Sequence, residues 1–178
     1  MKLDCKLKEL GPVDYGPLKA AVLAAGPEAW LEDQMRQKSY EVHTQTQSIV
    51  LLFCDGWPQM EVTRRAGWDR FAHLASPLMK HIIDTHYRHQ GGVLRAMIAK
   101  MAPGAQIATH YDAHPSFGVA HRIHVPLQTN DAVDFIINDE VFHLKEGIAY
   151  EVSNLDMHSV ANRGSQDRLH FIFDYTIR

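Results

Sequence analysis

Hydrophobic and polar positions are patterned differently in the two halves of the 178-residue chain. In the first half, Tyr15–Ala25 and Pro27–Gln37 are rich in good helix formers and predict two short helices. Ser48–Cys54 is a continuous apolar, β-rich run that ends at the turn signal Asp55-Gly56. Trp68–Tyr87 places Phe71, Leu74, Leu78, Ile82 and Ile83 at three- and four-residue spacings, which predicts an amphipathic helix ended by Gly91-Gly92. From Val93 onward the period changes. Val93–Met101, Gln106–His110, His121–Gln128, Val133–Asn138, Val141–Leu144, Ile148–Val152 and Arg168–Ile177 are short alternating or β-branched runs separated by turn residues.

Regularly spaced short strands predict a closed or sandwiched antiparallel β-fold. With helices first, the pattern reads as mainly β with N-terminal helices: a jelly roll buttressed by helices. There are no repeats or flexible linkers, so residues 1–178 read as a single domain. Within it, 1–92 form a helical buttress with flanking strands, and 93–178 form the β core.

Composition removes several functions. Net charge is −3 and the longest basic run is Arg64-Arg65, so a basic nucleic-acid surface is not expected. No apolar stretch is long enough for a transmembrane helix. The start, Met1 to Cys5, reads without a signal peptide, and Cys5 and Cys54 form no CxxC pair. A reducing, cytoplasmic setting is the expectation. The outlier is histidine, with 12 residues, seven of them between His110 and His170. Histidine is the commonest metal ligand and titrates near neutrality, so a metal or proton-transfer site is worth seeking.

His110-Tyr111-Asp112 is the first candidate. On extended backbone, residues i and i+2 share a face, so both side chains can reach one ion. Alone the signal is weak: 12 His and 13 Asp in this length yield about one His-x-Asp by chance. Its company strengthens it. His158 lies downstream, before the run Ser159–Asn162, and Arg168 follows ten residues later. Two strands share one design. Ile123, Val125 and Leu127 alternate with Arg122 and His124, and Leu169, Phe171 and Phe173 alternate with Arg168 and His170. Either Arg face could simply be solvated. It could equally receive a carboxylate, because the guanidinium fork binds one bidentately for roughly 1.5–3 kcal/mol per charge-assisted bond. Two histidines and one carboxylate on one side of a metal are the mark of non-haem Fe(II) oxygenases.

Met101-Ala102-Pro103-Gly104-Ala105-Gln106-Ile107-Ala108-Thr109-His110-Tyr111-Asp112, Arg122-Ile123-His124-Val125-Pro126-Leu127, His158-Ser159-Val160-Ala161-Asn162 and Arg168-Leu169-His170-Phe171 follow one another in this order. In this the chain resembles the aspartyl/asparaginyl β-hydroxylase family of Fe(II)/2-oxoglutarate dioxygenases. The spacing is most similar to bacterial members of the proline cis-4-hydroxylase type. The resemblance spans Val93 to Asp174. It implies a double-stranded β-helix, cupin-like in architecture, with His110, Asp112 and His158 on Fe(II). It also implies that Arg168 holds the distal carboxylate of 2-oxoglutarate, while Arg122 and His124 line the cosubstrate pocket. The implied reaction consumes O2 and 2-oxoglutarate, gives succinate and CO2, and hydroxylates a C–H bond. Animal aspartyl β-hydroxylases lack the carboxylate ligand, so Asp112 weakens any carry-over of their protein-domain substrate. A free amino acid or amino-acid derivative is the expected small-molecule substrate.

Two other readings stand beside it. One is a cupin-like metal enzyme that does not use 2-oxoglutarate. The other is a non-catalytic small-molecule or metal-binding module, for which Thr63–Leu74 offers a faint helix-turn-helix pattern. Among the remaining histidines, His114 could compete as a ligand, though Pro115 follows it. His121 reads as a strand cap and His143 as a solvated strand position. His73, His81, His86 and His89 read as a polar helix face. The polar segment Val42–Gln47, with His43, could reach a substrate. Tyr111–Ala120 reads as a loop or lid beside the ligands, and Trp57 and Trp68 as core or substrate wall.

Overall fold

The computed structural model describes residues 3–34, 44–87 and 91–177. Eleven strands are formed among them: β1 (Leu7–Pro12), β2 (Thr46–Asp55), β3 (Glu61–Arg64), β4 (Gly91–Met101), β5 (Gln106–His110), β6 (Ala120–Gln128), β7 (Val133–Ile137), β8 (Glu140–Phe142), β9 (Ile148–Val152), β10 (His158–Asn162) and β11 (Arg168–Ile177). The helices are α1 (Gly16–Leu23), α2 (Pro27–Leu31) and α3 (Gly67–His86). The strands make a seven-stranded sheet, β1-β9-β6-β11-β4-β2-β3, facing a four-stranded sheet, β5-β10-β7-β8. The pairings are antiparallel throughout. This is the jelly roll that the alternating runs predict.

Alternation sorts the side chains of the large sheet. Ile49, Leu51, Ala96, Ile98, Ile123, Val125, Leu127, Leu169, Phe171 and Phe173 point outward. The helices cover this face with Leu18 and Val22 from α1 and Phe71, Ala75, Leu78, Met79 and Ile82 from α3. The stripe on α3 carries that helix straight through Pro77, although proline costs a helix interior one hydrogen bond. Gly67 seats its first turn, because a Cβ there would stand 2.7 Å from the Val50 carbonyl oxygen. The opposite face looks into the barrel. There Met101, Val133, Phe135, Ile137, Tyr150, Val152 and Val160 form a second core between the sheets. Arg122, His124, Arg168 and His170 share that interior, so their strand faces are not solvated.

The structure departs from the sequence pattern at a few places. α2 stops at Leu31, and the buried Asp33 beyond it pairs with Arg65 Nε at 2.9 Å. Residues 35–37 of the predicted helix, like His43 and His89, lie outside the described residues. Gly91-Gly92 does not end α3: the helix ends at His86, and the glycines open β4. A Cβ on Gly91 would lie 2.0 Å from the Thr176 carbonyl oxygen, so this close pairing with β11 needs glycine. β1 and β3 are edge strands that the pattern does not announce. Thr63–Leu74 spans the end of β3 and the start of α3 and is not a helix-turn-helix.

Candidate active site

β5 and β10 pair antiparallel with His158 opposite His110, and Asp112 follows just past β5. The Asp112 amide donates to the Asn154 carbonyl at 3.0 Å, which docks this turn against the chain leaving β9. The pairing brings one ligand atom from each of His110, Asp112 and His158 to within 4.8 Å of one another. The two imidazole centroids are 4.3 Å apart. Each histidine is oriented by its own backbone. His110 Nδ1 donates to the Ala108 carbonyl at 2.8 Å, and His158 Nδ1 donates to the Asp156 carbonyl at 2.9 Å. That assigns the proton to Nδ1 and makes Nε2 of both rings the atom that could take a metal. Burial holds the His158 imidazole below its usual range, against the opposing pull of Asp112, and so keeps it neutral. Phe135 stacks parallel on His158 with centroids 6.3 Å apart, a contact no sequence motif indicates.

A cleft of about 570 Å³, including its open mouth, lies over these ligands. Thr46, Ile107, Arg122, His124, Phe135, Arg168 and Ile172 line it along with the triad. All six residues picked out by the sequence therefore border one space. Thr46 brings the first residue of β2 to the cleft wall.

The two arginines differ in their partners. Arg122 Nη1 donates to Asp112 Oδ2 at 2.7 Å, and Nε and Nη2 fork onto Asp174 at 2.8 and 3.0 Å. Burial pulls its pKa down, but the two carboxylates outweigh it and drive it up. Arg168 is 2% exposed and, among the described residues, has no carboxylate within ion-pair distance. Its Nη2 donates to His170 Nδ1 at 2.8 Å, while its Nε has no hydrogen-bond partner. Burial lowers its pKa to about 9, still charged at neutral pH. A buried cation without a counter-ion is costly, and an anionic ligand in the cleft relieves that cost. His170 in turn lies 3.4 Å from His124, Nδ1 to Nδ1, and burial holds both imidazoles well below their usual range. His170 Nε2 is also without a partner.

The donor set thus fits a divalent transition metal with open positions. The orphaned Arg168 fits the carboxylate of a cosubstrate bound beside it.

The other histidines have different work. His114 is outside the triad: its Nδ1 accepts from the Ser116 amide at 3.3 Å and caps a 3-10 turn, Pro115–Val119. That turn belongs to the loop Tyr111–Ala120, and its Phe117 ring lies between the guanidinium groups of Arg95 and Arg122, 4.5 Å from each. His121 is no strand cap. It is buried and paired with Glu151, which also accepts from the Tyr87 hydroxyl at 2.9 Å on the outer face. His143 is exposed enough to meet solvent and donates to the Val133 carbonyl. Trp57 is exposed, and Trp68 packs on the outer core beneath Arg64.

A jelly roll with two histidines and a carboxylate gathered inside one end has the framework of a non-haem metal oxygenase. The chain belongs to the aspartyl/asparaginyl β-hydroxylase family, whose model matches residues 22–177, and it is an oxygenase of the hydroxylase type. The match reaches well beyond Val93 into the helices and early strands. Solved structures share the fold. One is an oxidoreductase of the 2OG-Fe(II) oxygenase family from Burkholderia pseudomallei, with TM-score 0.58 and 14% identity over 75% of this chain and 69% of that one. A Pseudomonas putida prolyl-4-hydroxylase aligns with TM-score 0.53 and 13% identity over 98% and 94% of the two chains. The nickel complex of the non-heme monooxygenase ThoJ aligns with TM-score 0.55 and 15% identity over 97% and 74%. No curated protein sequence matches this chain. Among the described residues, no helix is long and apolar enough to cross a membrane.

Proposed function

We propose that this chain is an Fe(II)- and 2-oxoglutarate-dependent dioxygenase that hydroxylates a C–H bond of an amino acid or amino-acid-derived small molecule. The carrying observation is the buried Arg168, without a counter-ion among the described residues, on the wall of the cleft that holds the His110, Asp112 and His158 cluster. His110 and His158 would offer Nε2 to iron, and Asp112 would offer a carboxylate oxygen. Arg168 would take the distal carboxylate of 2-oxoglutarate. His124, neutral and on the same wall, would border the bound cosubstrate with Arg122.

When bound, iron and 2-oxoglutarate supply the oxidising chemistry, in which O2 and the 2-oxo acid yield succinate and CO2 and one oxygen atom enters the substrate. The chain's own part is to bind, orient and exclude water. The backbone carbonyls of Ala108 and Asp156 fix both imidazoles. Phe135, Ile107, Val160 and Ile172 give the wall beside the cluster an apolar surface, against which a C–H-bearing substrate can pack. The Pseudomonas putida relative is a prolyl-4-hydroxylase, but at 13% identity that likeness carries the fold and not the substrate.

The test is succinate formation with Fe(II), 2-oxoglutarate and O2, screened against free amino acids and their simple derivatives. The expected result is stoichiometric succinate with one amino acid, whose mass rises by one oxygen atom. Metal-dependent turnover that ignores 2-oxoglutarate would favour the cupin-like alternative instead.

A further inference from the structure

Asp174 lies on the inward face of β11, six residues past Arg168, and is 0% exposed. The register sets it between two arginines on the flanking strands, Arg95 on β4 and Arg122 on β6. Arg122 grips it with a two-pronged fork, Nε to Oδ1 at 2.8 Å and Nη2 to Oδ2 at 3.0 Å. Arg95 Nη1 stands 3.8 Å from Oδ2. Arg95 is itself fixed by the Cys54 carbonyl at 2.9 Å and the Ser116 hydroxyl at 2.8 Å. The third prong of Arg122, Nη1, reaches Asp112 Oδ2 at 2.7 Å.

We propose that Asp174 is a positioning residue for Asp112, acting through Arg122; this rests on the reading of His110, Asp112 and His158 as a metal site. An arginine paired with Asp112 alone would compete with a dication for that carboxylate. Asp174 balances the guanidinium charge from behind and consumes two of its donors. The fork is planar and rigid, so fixing Nε and Nη2 fixes where Nη1 points. Asp112 is thereby held at one oxygen in one orientation. Arg95 stands behind Asp174 and, through its bond to the Ser116 hydroxyl, ties the arrangement to the 115–119 turn. Outer partners of this kind typically change metal affinity by about 10–100-fold.

The test is Co(II) binding to the full chain, read from its visible absorption, with circular dichroism as the check of folding. Four proteins form the cycle: wild type, Asp174→Asn, Asp112→Ala and the double variant. Asp174→Asn is expected to weaken Co(II) binding about 10–100-fold where Asp112 is present. Where Asp112 is already alanine, the same change is expected to cost less than about twofold, because the chain of contacts has lost its end. Wild-type affinity in Asp174→Asn overturns the proposal, as does a penalty that persists in full without Asp112. If Asp174→Asn does not fold, Asp174→Glu replaces it in the cycle, since it keeps the charge but displaces it, and the same pattern is expected. Co(II) binding by Asp112→Ala that equals wild type removes the metal-site reading itself, and this role with it.

Discussion

Arg122 and Arg168 sit on neighbouring strands, both inside the barrel, yet their charges are handled in opposite ways. Arg122 has Nε, Nη1 and Nη2 each engaged by Asp112 or Asp174. Arg168 meets a neutral histidine and a methionine sulfur, with Nε left over. Both contribute a strand's inward face, and both look alike in sequence as Arg-x-His. The difference separates a charge that the fold balances from one that, on the proposed reading, a bound anion balances. On that reading, the completed ion network would hold a metal ligand in place and the incomplete one would receive an anion.

The largest expected effect separates the two arginines by stability. Arg122→Ala takes the fork from the fully buried Asp174 and the partner from the half-buried Asp112, and is expected to cost about 3–5 kcal/mol in urea unfolding. Arg168→Met removes a buried, unbalanced charge and keeps the volume, so without cosubstrate its stability should match or exceed wild type. Equal destabilisation by both changes would erase the distinction.

A smaller effect concerns the neutral pair behind Arg168. His124 and His170 stay unprotonated in the folded state, while in the unfolded chain each takes up a proton below about pH 6.5. The unfolded state then binds more protons, so stability is full above that pH and falls as pH drops below it. The expected slope is up to about 1.4 kcal/mol per pH unit for each histidine. Urea unfolding at pH 7.5 and 5.5 measures it, and His170→Asn should remove one histidine's share. A flat profile between those pH values would mean that neither imidazole is held neutral.

Most of this architecture is legible in the sequence because alternation is a direct readout of a two-faced sheet. β5, β9 and β11 begin and end where their patterns do. The edge strands are not legible: β1 reads LKELGP, with half its residues exposed, and β3 reads EVTR, mostly exposed, and only pairing with β9 and β2 makes them strands. β10 is missed as a strand for another reason: its first residue, His158, reads as a ligand rather than as part of a pattern.

The six site residues are legible through order and spacing, and they do meet at one cleft. What they do there is less legible. Arg122 and Arg168 differ only in partners supplied by other strands. Asp174 carries a signal of its own, a lone carboxylate in Phe171–Tyr175 on the same face as Arg168 and His170. Arg95 is likewise a lone charge in the apolar run 91–99. A single charge inside an apolar strand marks a buried pair, but only the register says with which residue. The excess of histidine is a poorer guide. His114 caps a turn, His121 pairs with Glu151 and His143 meets solvent.

The central claim is that Arg168 completes a 2-oxo acid site beside the metal. Its most direct test is an anaerobic titration of the Fe(II)-loaded protein with 2-oxoglutarate, following the weak visible absorption of a 2-oxo acid on iron. Wild type is expected to give a saturable band, and Arg168→Met is expected to need roughly 10–100-fold more 2-oxoglutarate to reach half of it. No band in the wild type, or the same midpoint in both proteins, would contradict the account.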